Sequence, residues 1–225
     1  MAALSFNRTH SLIAGVAGAG KTTLVSYIIN HLLPQSSKEG LAFFYCRQDT
    51  NDEARSQPKA ILCSFIRQLA SLQGQNTIHE ELLTVYREKE EKHFASNELS
   101  YKEAEELLKA LLKAYDSTIL VLDALDECNP RDKGRLNLVN YFRKLLEGGH
   151  NLKILIASRS AEDYAYRLKD DTNIEIGAAD NIEDIRKYIR SSIEKDKDKE
   201  SREKPLSDEL VQEIIETLTE KSQGM

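Results

Sequence analysis

The chain has no tryptophan, two methionines and four prolines among its 225 residues. Its three cysteines, Cys46, Cys63 and Cys128, are scattered and odd in number. That spacing excludes a disulfide framework and reads as reduced thiols of a cytoplasmic protein. A chain this long needs no such staples, because it can bury about 70% of its unfolded surface. Basic charge is not in excess: 31 Lys and Arg face 37 Asp and Glu, for a net charge of −6. Without a basic footprint, nucleic acid is not expected as a partner. No apolar run approaches the length that spans a bilayer, so no membrane is expected either. The N-terminus lacks a signal-peptide pattern. The five histidines show no ligand spacing, and no structural metal is assigned to them. What remains is an ordinary helix-rich composition, 40% hydrophobic and 30% charged.

Glycine is sparse, with ten residues in all, yet three of them crowd one stretch. Gly15, Val16, Ala17, Gly18, Ala19, Gly20, Lys21 and Thr22 satisfy G-x-x-x-x-G-K-[ST], the phosphate-binding loop. The apolar residues 11–14 lead in as a buried strand, and residues 22–33 follow with helical periodicity. Glycine lacks Cβ, so the backbone can take positive φ and converge its N–H groups on phosphate oxygens. The helix N-terminus adds a favourable dipole. Lys21 is placed for the β- and γ-phosphates, and the Thr22 hydroxyl for Mg²⁺. The competing reading is a chance glycine turn.

Along the rest of the chain, strands alternate with helices. Apolar runs at 41–46, 118–123, 152–159 and 173–176 read as strands. Helices are expected from Pro58 through Leu72, over 78–92, over 100–115 with Ser100 and Glu103 as a capping box, over 131–147, and briefly over 161–168. Residues 47–57 are polar and read as a loop. The alternation predicts an α/β fold, a three-layer sandwich around a parallel five-stranded sheet. After Gly177 the character shifts to an amphipathic helix over 182–193 capped by Asp180 or Asn181, a charged stretch to Lys204, and a last helix capped by Ser207. The expected organisation is a core over 11–178 and a small helical appendage over 179–225.

The second informative stretch runs from Ile119 to Glu127 and closes an aliphatic strand with Asp123, Asp126 and Glu127. An aspartate at the tip of a buried strand can hold Mg²⁺ through its water shell, and a neighbouring acid can orient or deprotonate an attacking water. Arg159, at the end of the next strand, can sense a γ-phosphate or stabilise transferring charge. The competing readings are a solvated acidic turn and a surface arginine.

Taken together, 15–23, Leu122-Asp123-Ala124-Leu125-Asp126-Glu127-Cys128 and Ile156-Ala157-Ser158-Arg159 resemble a NACHT domain. The likeness is to NACHT domains of fungal NOD-like receptors, in the STAND class of P-loop ATPases, and it covers most of residues 11–225. It implies a sheet in which the Walker A and Walker B strands flank the strand ending at Arg159. It further implies Walker A roles for Lys21, Thr22 and Thr23, a Mg²⁺ role for Asp123, hydrolytic roles for Asp126 and Glu127, and a sensor role for Arg159. ATP or ADP with Mg²⁺ would be the cofactors. Self-association or pairing with related NACHT proteins, in a signalling switch of non-self recognition or cell death, would be the biological setting. The usual winged-helix continuation is not in this sequence. Two other classes remain open from the residues themselves: a non-catalytic nucleotide-binding scaffold, and a small-molecule kinase, although the residues after Arg159 make a poor arginine lid. No Asn-Lys-x-Asp or Thr-Lys-x-Asp string points to guanine.

Overall fold

The computed structural model describes residues 10–33, 39–49, 53–70, 78, 80–91, 98–129, 133–149, 151–159, 172–197 and 207–222. Its strands are β1 (His10–Gly15), β2 (Glu39–Tyr45), β3 (Ser117–Asp123), β4 (Leu152–Ser158) and β5 (Thr172–Ile176). They form one five-stranded parallel sheet in the order β2-β3-β4-β1-β5. Leu41 pairs with Ile119, Leu120 with Ile154, and Leu12 with Ile156. β4 therefore lies between β1 and β3, as the resemblance implies. Parallel neighbours need crossovers, and the described helices supply them: α1 (Lys21–Leu32), α2 (Pro58–Ala70), α3 (Glu80–Glu91), α4 (Tyr101–Leu112) and α5 (Gly134–Glu147), followed by α6 (Ile182–Lys197) and α7 (Asp208–Ser222).

The chain divides into two compact units. The first comprises Met1–Ala14 and Lys21–Ile174. Its sheet is covered on both faces, which is why its strands read as unbroken apolar runs. Side chains alternate across a strand. On one face Leu12, Leu120, Leu122, Ile154 and Ile156 join a core cluster with α2, α4 and α5, where Phe65 and Phe142 are fully buried with ring centroids 6.3 Å apart. The alternate residues Ile13, Val121 and Leu155 belong to the other face. α1 contacts β3 and β4 and buries Val25, Ile28 and Ile29.

β2 ends the sheet, and its outer backbone is not left open. The Gln68 side chain accepts from the Phe43 N–H at 3.0 Å and donates to the Phe43 carbonyl at 2.8 Å. An edge strand offers a row of unpaired groups, and this amide satisfies one residue of it from α2.

The expected elements appear with small differences at their ends. Ser100 and Glu103 form the capping box of α4, with bonds of 3.2 and 2.6 Å. α4 closes at Leu112, three residues early, because the backbone turns at Lys113 and Ala114. The polar stretch after β2 contains a 3₁₀ turn at Glu53–Ser56, bonded back to Arg47 N–H through the Arg55 carbonyl at 3.2 Å. α5 starts at Gly134, behind Lys133 at φ 59°. The helix expected over 161–168 lies outside the described residues.

The second unit comprises Gly15–Gly20 and Glu175–Met225. A 3₁₀ turn, Ala178–Asn181, leads into α6, which contacts α7. Ile189 and Ile215 are its buried apolar residues, whereas Tyr188, Leu210 and Leu218 are exposed. α6 runs on to Lys197, into the charged stretch. Among the described residues, no helix is long and apolar enough to cross a membrane.

Candidate functional site

The glycine loop is built as its composition requires. Gly18 and Gly20 hold φ 77° and 83°, a region that costs L-residues about 1–2 kcal/mol. The turn is closed by the Ala19 N–H on the Val16 carbonyl at 3.3 Å. Gly15 is needed for a different reason. A Cβ there would meet the Ile176 carbonyl oxygen at 2.5 Å, a backbone atom that cannot swing aside. The exposed residues Val16, Ala17 and Gly18 complete the loop.

The same unit contributes a residue that the sequence marks only as a candidate helix cap. Asn181 donates its side-chain amide to the Ala19 carbonyl at 2.8 Å, while Asp180 accepts from the Gly177 N–H at 2.8 Å. The sequence reads this pair as alternative helix caps. Asn181 instead holds the loop backbone, and no local pattern signals a partner 162 residues away. Losing one such bond costs about 1 kcal/mol, roughly fivefold in affinity. Asn181→Ala is therefore expected to weaken binding of a fluorescent ATP analogue about fivefold and to leave turnover at saturation unchanged, both read from one titration series.

The first unit carries the charged residues. Lys21 and Thr22 open α1 directly after the loop. The Thr22 hydroxyl donates to Asp123 Oδ2 at 2.7 Å, joining positions 101 residues apart. Asp123 is 3% exposed at the tip of β3. Burial raises its pKa, opposed by the Thr22 hydroxyl, the Ala124 N–H and the Lys21 charge. Burial lowers the Lys21 pKa; Asp126 and Asp123 oppose this, and Arg159 adds to it. Lys21, Asp123, Asp126 and Arg159 thus share one electrostatic neighbourhood. Thr23, the next residue of α1, is exposed.

Asp126 and Glu127 sit on a 3₁₀ turn, Leu125–Glu127, entered through Ala124 at φ 54°. Both acids face Arg159. Asp126 accepts from the Arg159 N–H at 2.9 Å, from Arg159 Nε at 3.2 Å and from the buried Ser158 hydroxyl at 3.3 Å. Glu127 accepts from Arg159 Nη2 at 2.8 Å and, on its other oxygen, from the Gln48 N–H at 3.2 Å. The Asp126 side chain is 19% exposed, that of Glu127 26% and that of Arg159 57%. With the arginine side chain more than half open to water, the pairing contributes modestly to stability, about 0–1 kcal/mol.

Beneath the turn, Cys46 and Cys128 bring their thiols into hydrogen-bond contact, which lowers the Cys128 pKa and raises that of Cys46. The Cys46 N–H also bonds the Asp123 carbonyl at 3.0 Å. Cys46, Cys63 and Cys128 are all free thiols.

Thr22 and Asp123 present a hydroxyl and a carboxylate, hard oxygen donors of the kind Mg²⁺ takes together with water and phosphate oxygens. Among the described residues no three His, Cys, Asp or Glu side chains converge as a protein metal cage. A Mg²⁺ held partly by substrate phosphates needs none.

A parallel sheet in this order, a G-x-x-x-x-G-K-T loop between β1 and α1, and the threonine of that loop bonded to the acid ending β3 define the P-loop NTPase class. Within it, the chain belongs to the family described as Nephrocystin 3, N-terminal, whose model matches residues 5–159. No curated protein matches the chain in sequence. Among solved structures it is similar to the Walker-type ATPase of Pyrococcus abyssi, at TM-score 0.52 and 13% identity over 93% of this chain and 58% of that one. It is also similar to Drosophila ORC bound to DNA, at TM-score 0.51 and 12% identity over 95% of this chain and 49% of that one. The chain therefore spans about half the length of these relatives, and at such identity the likeness is one of fold.

Proposed function

We propose that this chain binds ATP with Mg²⁺ and hydrolyses it slowly, as a NACHT-type switch module of the STAND class. The observation that carries the reading is the 2.7 Å bond from Thr22 to Asp123. It joins the helix start that follows the phosphate loop to the acid of the second motif, the two groups that share one metal ion in P-loop NTPases. Bound there, Mg²⁺ would neutralise charge developing on the phosphates. Lys21 binds the phosphate tail, and the backbone N–H groups of Gly15 to Gly20 donate to phosphate oxygens. Arg159 is paired with Asp126 and Glu127. A γ-phosphate competes for that guanidinium. Its departure leaves a Glu127 oxygen free to accept a proton from water, while Asp126 stays fastened to Ser158 and the Arg159 backbone.

The domain boundary near residue 178, the cytoplasmic location, and self-association or pairing with related proteins in a recognition or cell-death pathway belong to the same proposal. The net charge of −6 supports a reading without nucleic acid, although the ORC relative was solved bound to DNA. The lid that a kinase needs would fall after Arg159, on 160–171, which lie outside the described residues. Phosphate release from Mg·ATP tests the reading. Slow, linear release that ignores added acceptors is expected. ATP loss that requires an acceptor would make the chain a kinase, and no loss at all would leave a nucleotide-binding scaffold.

A further inference from the structure

The turn that carries both acids is an unusual piece of backbone. It begins at Ala124, a residue with a Cβ held at φ 54°, and it makes only the bonds Glu127 N–H to Ala124 carbonyl (2.9 Å) and Cys128 N–H to Leu125 carbonyl (3.0 Å) within itself. A turn this short and this strained needs fastening from outside. The carboxylates are fastened by Ser158, the last residue of β4, and by Arg159 directly after it. Those contacts are the ones a bound triphosphate would disturb.

A second fastening comes from α5. Arg135, in the first turn of that helix, donates through Nη2 to the Asp126 carbonyl at 2.7 Å. It also donates to the Cys128 carbonyl, through Nε at 2.9 Å and through Nη2 at 2.6 Å. One planar group thus spans the two carbonyls on either side of Glu127. These bonds use backbone atoms only, so they survive whatever Asp126 and Glu127 do with their side chains. Lysine's three donors share one nitrogen on a flexible stem and lack the rigid planar fork that spans both carbonyls here.

We infer that Arg135 is a positioning residue for hydrolysis: its guanidinium holds the backbone around Glu127 in place while Arg159 leaves the two acids. The inference rests on the ATPase reading above. It gives Arg135 a task distinct from nucleotide binding, because these three bonds go to the backbone carbonyls of Asp126 and Cys128, whereas Arg159 pairs with the side chains of Asp126 and Glu127. A misplacement of about 1 Å in a catalytic group is enough to cost on the order of 100-fold in rate.

The test compares wild type with Arg135→Met and Arg135→Lys, using full chains, in two assays. Amide hydrogen exchange reads the anchoring without any need for turnover. In Arg135→Met the amides of Glu127 and Cys128 should exchange at least about tenfold faster, with β3 and β4 unchanged. Steady-state hydrolysis of Mg·ATP reads the consequence: kcat falls about 10- to 100-fold with KM within about twofold, and Arg135→Lys lies between. Unchanged exchange at the turn overturns the anchoring. Faster exchange with full kcat overturns the positioning role, as does a loss confined to KM. Wild-type protein that binds ATP without turning it over defeats the hydrolytic reading and with it the positioning role, while the exchange data still decide the anchoring. If Arg135→Met does not fold, Arg135→Lys carries both assays.

Discussion

Replacing Lys21 with alanine is expected to weaken binding of a labelled ATP analogue at least about 100-fold, or about 2.7 kcal/mol. A charge-assisted bond to phosphate contributes about 1.5–3 kcal/mol, and Lys21 opens α1 directly after the glycine loop in the chain. Lys21 is the first residue of α1, a position where alanine is a good helix former, so no collapse is expected. Burial lowers the Lys21 pKa, so its protein surroundings disfavour the charge that alanine removes. Circular dichroism and melting of the variant should therefore match wild type while fluorescence polarisation loses its signal. Wild-type affinity in Lys21→Ala would remove the phosphate assignment of the loop.

Asp126→Asn combined with Glu127→Gln should do the opposite, retaining the analogue and lowering kcat about 10²- to 10⁴-fold, the usual contribution of a positioned general base. Amides keep the shape of both side chains, so the contacts to Ser158 and Arg159 can persist in weaker, neutral form. The single variants should separate the two acids. Glu127→Gln alone should account for most of the loss, because Asp126 already accepts three donors and Glu127 only two. Normal turnover in the double variant, measured as phosphate release, would take both residues out of the chemistry.

Much of this was legible in the chain because it is written in local patterns. The aliphatic run into Asp123 announces a strand buried on both faces, and the three glycines of 15–20 announce a turn of positive φ. The order β2-β3-β4-β1-β5 was legible only in part, through the resemblance that puts Arg159 between the two motifs, since strand pairing is not encoded in any one segment. The contacts of Asn181 with Ala19 and of Arg135 with the acidic turn left no trace in the sequence. Each is a polar side chain on an amphipathic helix or its edge, a setting in which the default reading is solvent. Their partners are backbone carbonyls, which carry no sequence identity to match. The thiol contact between Cys46 and Cys128 was hidden for the same reason: scattered cysteines say nothing of which two the sheet will bring together.

Lys21, Thr22 and Asp123 are proposed to hold one Mg-triphosphate. The most direct test is the melting temperature of the unmodified chain in Mg·ATP, against the same ATP with EDTA and against Mg²⁺ alone. At about 100 times the dissociation constant, a ligand of the native state adds about 2.7 kcal/mol, roughly 5–10 °C for a chain of this size. That rise is expected with Mg·ATP, most of it lost with EDTA, and little change with Mg²⁺ alone. An unmoved transition at millimolar Mg·ATP, or an equal rise with and without the metal, would contradict it.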